Sequence, residues 1–192
     1  MGNRTRKLGS LVLCTVLVLF SHCGTTTVTM NIDALSFIPE EDRTTAYGED
    51  PVIPPYGPSV TIKSPVYEVP ISGEIESVTE IEEVLVALDF LVENETGTAD
   101  AQIEVFISGE GQDPFSTEPF MESDLSLVPD TSYTAMLRAS GDERIVGLFS
   151  GNSVNLAAEV YFDASGDQNL KGVITMTKLD IVVTGQGHLG SD

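Results

Sequence analysis

Residues 84–108 read VLVALDFLVENETGTADAQIEVFIS, two apolar runs around a polar break that holds Asn94 and Gly97. In the second run Ala101, Ile103, Val105 and Ile107 alternate with Gln102, Glu104, Phe106 and Ser108, the period of two expected when one face of a strand is buried. In the first run Val84, Val86, Leu88, Phe90 and Val92 share one face, while Leu85, Ala87 and Leu91 share the other with Asp89 and Glu93. That run therefore reads as a strand covered on both sides. A helical reading competes over 81–91, where Ile81, Val84, Leu85, Leu88 and Leu91 fit helical spacing and Thr79 to Glu82 mimic a capping box. The β-branched content, with a turn and a matching strand behind it, favours the strand and predicts a central hairpin.

Working outward from that hairpin, residues 28–38 read as a first strand, with Val28, Met30 and Ile32 alternating against Thr29, Asn31 and Asp33. Residues 39–70 hold seven of the ten prolines. Proline has no N–H to give a ladder, so this stretch predicts a connection with edge strands at 59–63 and 66–69. Read functionally, it is a Pro-rich recognition segment displaying Tyr47, Tyr56 and Tyr67; read structurally, it is an ordered meander over the sandwich. Residues 110–124 form a long acidic loop carrying Phe115, Phe120 and Met121, of the length at which binding often resides. Further strands are expected at 132–139, 144–149, 154–162 and 172–184, separated by Gly141–Asp142, Gly151–Asn152 and Gly166–Asp167 turns. Short strands between Gly/Asn/Asp turns predict an all-β chain: one antiparallel β-sandwich domain over 28–185, immunoglobulin-like or jelly-roll-like, with a flexible tail at 186–192.

The formal net charge is −21. Such a surface repels nucleic-acid phosphates and anionic lipid headgroups, so no nucleic-acid partner is expected. The acidity fits cation binding, a basic partner, or solubility alone.

The first 22 residues read as a signal peptide. Arg4, Arg6 and Lys7 precede an apolar run over 11–20, too short for the roughly 20 residues of a membrane-spanning helix. At Cys23 the segment resembles a bacterial lipoprotein signal, in which the cysteine becomes the lipidated first residue. Phe20 stands where such signals usually have Leu, and His22 where they have a small residue. The resemblance covers the leader only. It implies removal of 1–22, lipidation of Cys23, a short anchor segment at 23–27 and a net charge falling from −21 to −24 as Arg4, Arg6 and Lys7 are lost. Cys14 would go with the leader, leaving Cys23 without a disulfide partner. Gly24 lacks the acidic character that retains such proteins at the inner membrane. The expected location is the outer membrane or cell surface, with the periplasm as the alternative, and the expected partners are the membrane itself and another envelope protein.

Catalytic constellations are short of parts. His188 is the one histidine beyond the leader, so a Ser–His–Asp triad, a Cys–His pair and a His/Cys zinc site cannot be assembled from the expected mature chain. No phosphate loop, dinucleotide fingerprint or nucleophile elbow occurs. Paired carboxylates stay open as an alternative, an envelope hydrolase, although the chain has no Trp to serve as a sugar platform. The sharpest local pattern is DASGDQN at 163–169: Asp163, Ser165, Asp167 and Asn169 put oxygens at alternating positions around Gly166, a set suited to Ca²⁺. The same residues also suit a plain hairpin turn. The expected function is a non-catalytic envelope module, structural, adhesive or ligand-binding, with no catalytic residues and Ca²⁺ as its one plausible cofactor.

Overall fold

The stretch at 84–108 is strand on both sides of Gly97, and the helical alternative at 81–91 does not form. The computed structural model describes residues 17–19, 26–71, 78–141 and 143–187. Strand β6 spans Val78–Thr96 and β7 spans Thr98–Gly109. They do not pair with each other. β6 lies between β11 (Lys171–Gly187) and β9 (Thr131–Ser140), whereas β7 lies between β10 (Ser153–Ser165) and β8 (Met121–Leu127). The expected central hairpin is thus a corner, in which Gly97, at φ +76°, carries the chain from one sheet to the other. Positive φ is where glycine has no steric penalty. A β-carbon on Gly97 would also meet the Asn169–Leu170 backbone of the neighbouring β10–β11 corner, with Leu170 Cα at 2.7 Å.

The described residues build two antiparallel sheets. The first runs β1 (Leu17–Leu19), β2 (Thr26–Asp33), β11, β6, β9, with β3 (Thr44–Tyr47) also on β11. The second runs β4 (Val60–Lys63), β10, β7, β8, with β5 (Tyr67–Pro70) also on β10. Successive strands switch sheet at β3–β4, β5–β6, β6–β7, β8–β9, β9–β10 and β10–β11. This is the order of a jelly-roll sandwich, and it decides between the two sandwich types expected.

The long strands β10 and β11 each have a long neighbour on one side and two short strands end to end on the other. β2 and β3 share β11; β4 and β5 share β10. Prolines fit the shortness, since Pro39 lies between β2 and β3 and Pro65 between β4 and β5. The edge strands expected at 59–63 and 66–69 form, and the 39–70 stretch is an ordered meander. Strand β3 was not expected. Of the three tyrosines, Tyr47 and Tyr67 are buried and only Tyr56 is displayed.

Inward residues meet between the sheets: Val84, Val86, Leu88, Phe90 and Val92 of β6 face Ala101, Ile103, Val105 and Ile107 of β7 and Leu156, Val160 and Phe162 of β10. Among the described residues no further layer covers the outer face of β6. Leu85 and Glu93 are exposed and Asp89 and Leu91 are half-buried there. On β7 the reverse holds, because Phe106 on the outer face is buried under Phe115, with ring centroids 5.4 Å apart.

Other boundaries move for identifiable reasons. The strand expected at 28–38 ends at Asp33, and a 3-10 turn follows over Ala34–Phe37. The strand expected at 144–149 is helix α1, Glu143–Leu148. Ile145 is its buried residue, and Phe149, one residue past its end, is buried four positions on, the spacing of one helical face. The acidic loop is shorter than expected, since β8 begins at Met121 and a 3-10 turn at Pro114–Ser116 orders its middle. Of the flexible tail expected at 186–192, Gln186 and Gly187 are paired in β11; 188–192 lie outside the described residues. β11 carries a bulge between Met176 and Lys178, which shifts its inward positions from Ile174 to Leu179, Ile181 and Val183. No helix among the described residues is long and apolar enough to cross a membrane.

Candidate functional site

Strand alternation that buries one face of the β4–β10–β7–β8 sheet must aim every second side chain outward, and on this sheet the outward residues toward β8 include a cluster of carboxylates. Three rows cross it. In the first, Lys63 of β4 stands opposite Glu159 of β10, Glu159 opposite Glu104 of β7, and Glu104 opposite Glu122 of β8. In the second, Thr61, Tyr161, Gln102 and Asp124 follow one another. In the third, Asp163 faces Asp100 and Asp100 faces Ser126. Residues directly opposite have β-carbons roughly 4.5–5.5 Å apart, so like charges in these positions repel.

The face is concave. Asp100, Asp124 and Asp163, with Gln102, Ser126 and Tyr161, line an open trough of about 370 Å³. A second hollow of about 150 Å³, lined by Thr61, Gln102, Glu104, Glu159 and Tyr161, adjoins it through the shared Gln102 and Tyr161. Fixed contacts hold the walls. Ser126 Oγ donates to Asp100 Oδ1 at 3.0 Å, and Tyr161 Oη donates to Ser59 Oγ. Lys63 is the cation of this face: its Nζ lies 2.9 Å from Glu159 Oε2 and 4.2 Å from the centre of the Phe115 ring.

Partial burial pushes the Glu104 carboxyl above the ordinary glutamate value, and the charge of Glu159, a hydrogen bond with that carboxyl and the charge of Glu122 push the same way. A carboxylate between two others holds its proton more tightly because ionising it places a third negative charge in one row. The row can share a proton, attract cations, and engage ammonium or guanidinium groups.

Of the four residues expected around a Ca²⁺ ion, Asp163 alone lines the trough. Ser165 Oγ donates to the Thr98 carbonyl at 3.5 Å, and the Asn169 carbonyl accepts from Thr96 Oγ1 at 2.9 Å. Asp167 is exposed on the β10–β11 corner. That corner joins the two sheets and is not the turn of a hairpin. Among the described residues no three His, Cys, Asp or Glu side chains are placed to hold a metal. Cys23 lies outside the described residues. Glu104, Glu122, Glu159, Asp100 and Asp124 were not singled out in the sequence. Their outward parity on β7, β8 and β10 was a signal, but the register that aligns them was not.

No protein-family profile matches the chain, and no curated protein matches it. Among solved structures the chain is similar to one from infectious bursal disease virus, Gx strain, at 11% identity and a TM-score of 0.45, covering 86% of this chain and 33% of that one. A chain from the Gt strain of that virus is similar at 12% identity and a TM-score of 0.44, covering 95% and 39%. Eiger TNF from S. frugiperda is similar at 9% identity and a TM-score of 0.33, covering 58% and 64%. This chain thus spans between a third and two fifths of the viral chains.

Proposed function

We propose that the protein is an exported, lipid-anchored module of the cell envelope that works by binding rather than catalysis, and that its binding surface is the acidic outer face of the β4–β10–β7–β8 sheet, the trough together with the glutamate row beside it. The observation that carries the choice of surface is the alignment of Glu159, Glu104 and Glu122 across three neighbouring strands. Like charges placed in one row oppose folding, so a cationic group that neutralises the row is bound and the sheet is relieved at the same time. The partner is accordingly basic: a lysine- or arginine-bearing segment of another envelope protein. Export and anchoring rest on the leader, whose basic residues, apolar run and Cys23 stand in the order a lipoprotein signal requires. Ca²⁺ is the one cofactor this reading admits.

The test is binding of a heptalysine peptide at low and moderate salt. Replacing Glu104, Glu122 and Asp124 by their amides should weaken binding about tenfold, three exposed ion pairs at a few tenths of a kcal/mol each. Replacing Glu40, Glu41 and Glu143, which lie away from the trough, removes the same net charge and should leave binding nearly unchanged. Equal losses in both variants would show attraction to net charge alone and end the assignment of the trough. For the anchor, intact mass should show a chain starting at an acylated Cys23, and Cys23→Ala should release a soluble form.

The hydrolase alternative has one observation in its favour. A carboxyl with a raised pKa is the general acid that such hydrolysis uses, and Glu104, with Glu159 opposite it on β10, has that character. Hydrolysis of a glycan or peptide that is abolished by Glu104→Gln would establish it in place of the binding reading.

A further inference from the structure

Exposed sheet edges are places where another strand can add, and proteins guard them with charge, proline or bulges. Most edges of this sandwich are guarded. β8 carries Glu122 and Asp124, β4 ends in Lys63 with Pro65 close behind, and β9 carries Arg138. β2 is different. From Thr26 to Ile32 it reads TTVTMNI, with no charge and no proline, and its pairing with β11 runs from Asp33 to Thr26 without a bulge. Its other edge is taken by Leu17–Leu19, antiparallel, with Val18 opposite Val28. Those three residues belong to the leader. The edge therefore accepts an antiparallel strand, and the strand it accepts here is one that processing at Cys23 would remove.

We propose that the β2 edge, once bared, pairs with the β2 edge of a second copy, antiparallel about Val28. The inference rests on leader removal as read above. Two-fold pairing about Val28 sets Thr27 opposite the partner copy's Thr29 and Thr29 opposite its Thr27. Cross-strand threonine pairs are favourable, and no like charges face each other across this register. Asp33, the first charge along the strand, falls opposite position 23, beyond the paired stretch. A two-fold contact of this kind is closed, so it uses up both edges and stops at the dimer. The troughs lie on the other sheet and stay open, which gives the dimer two binding faces.

The test uses the processed protein purified in detergent and a chain begun at Thr25, which retains β2 to β11 and lacks leader and anchor. Light scattering at about 100 μM, where even a Kd near 10 μM leaves mostly dimer, should give twice the chain mass for both. Thr29→Lys places a charge at the edge and should return the Thr25 chain to monomer with unchanged circular dichroism. Should that variant misfold, hydrogen exchange decides instead: the edge amides of residues 27–29 are protected in a β2-paired dimer and exchange fast in a monomer. A monomeric Thr25 chain, or a dimer whose edge amides exchange fast, overturns the proposal. A processed mass that still contains residues 1–22 ends the leader reading but leaves the result from the Thr25 chain standing.

Discussion

At the scale of single residues, Asn94 ties the sandwich together at its corner. It is 2% exposed, its Oδ1 accepts from Tyr47 Oη at 3.0 Å, and its Nδ2 donates to the Gly97 carbonyl at 2.9 Å. Tyr47 stacks on Phe162, centroid to centroid 4.8 Å, so the same phenol reaches across both sheets. Burial and the charge of Glu95 push the Tyr47 hydroxyl far above its ordinary pKa, keeping it a neutral donor. Asn94→Ala orphans the Gly97 carbonyl and leaves the Tyr47 hydroxyl with only its 3.5 Å bond to the Glu93 carbonyl, and should cost about 2–4 kcal/mol. Tyr47→Phe removes the bond to Asn94 and the longer one to the Glu93 carbonyl, keeps the ring, and should cost about 1–2 kcal/mol. Urea midpoints of the two variants check the order; a Tyr47→Phe cost equal to that of Asn94→Ala would show that the Gly97 bond carries nothing.

At the scale of elements, the row Glu159, Glu104, Glu122 makes stability depend on pH in a definite direction. The folded-state pKa of Glu104 lies above its ordinary value of 4.5, so the folded state holds a proton that the unfolded state has released. Stability from this group is complete below pH 4.5 and is lost as pH rises through the raised value. Glu104→Gln should flatten that decline and be more stable than wild type at neutral pH. Unfolding midpoints across about pH 4 to 8, from near the ordinary glutamate value to past neutrality, measure it, and parallel curves for the two proteins would refute it. A second prediction concerns the β10–β11 corner. If Asp163, Ser165, Asp167 and Asn169 hold Ca²⁺, a hundredfold excess over the dissociation constant stabilises the fold by about 2.7 kcal/mol. Asp167→Asn should shrink the effect and Glu118→Gln should not. Superimposed melting curves with Ca²⁺ and with chelator would remove calcium from the account.

For the whole molecule, a formal charge of −21 spread over two sheets is a net repulsion. Screening lengths shrink from roughly 20–30 Å near 0.01–0.02 M salt to a few ångströms near 0.5 M. Sodium chloride raised over that range should therefore increase the melting temperature, and the trough triple variant should respond less than wild type. A melting temperature that falls with salt would mean that ion pairs such as Lys171–Glu49, 2.9 Å apart, outweigh the repulsion. The trough and the β2 edge lie on different sheets, so partner binding and self-pairing are separable by mutation.

The sequence by itself determined the fold class. Alternation in Val84–Val92 and Ala101–Ile107 marks which side chains go inside, and that pattern depends only on the two-residue period of a strand. It also placed the edge strands of the Pro-rich stretch, since a missing N–H is a local fact. It misread 144–149, where Ile145 and Phe149 fit a short helix once they cap the end of the sandwich. Which strands become neighbours was beyond it. A turn at Gly97 is compatible with a hairpin or a corner, and the choice is made by β10 and β11, some 60 to 80 residues on, whose own inward faces need covering. The candidate site belongs to that second kind of information. Glu104, Glu122 and Glu159 are unremarkable outward residues on three separate strands, and only the register of the folded sheet sets them side by side, where electrostatic repulsion turns three ordinary carboxylates into one surface.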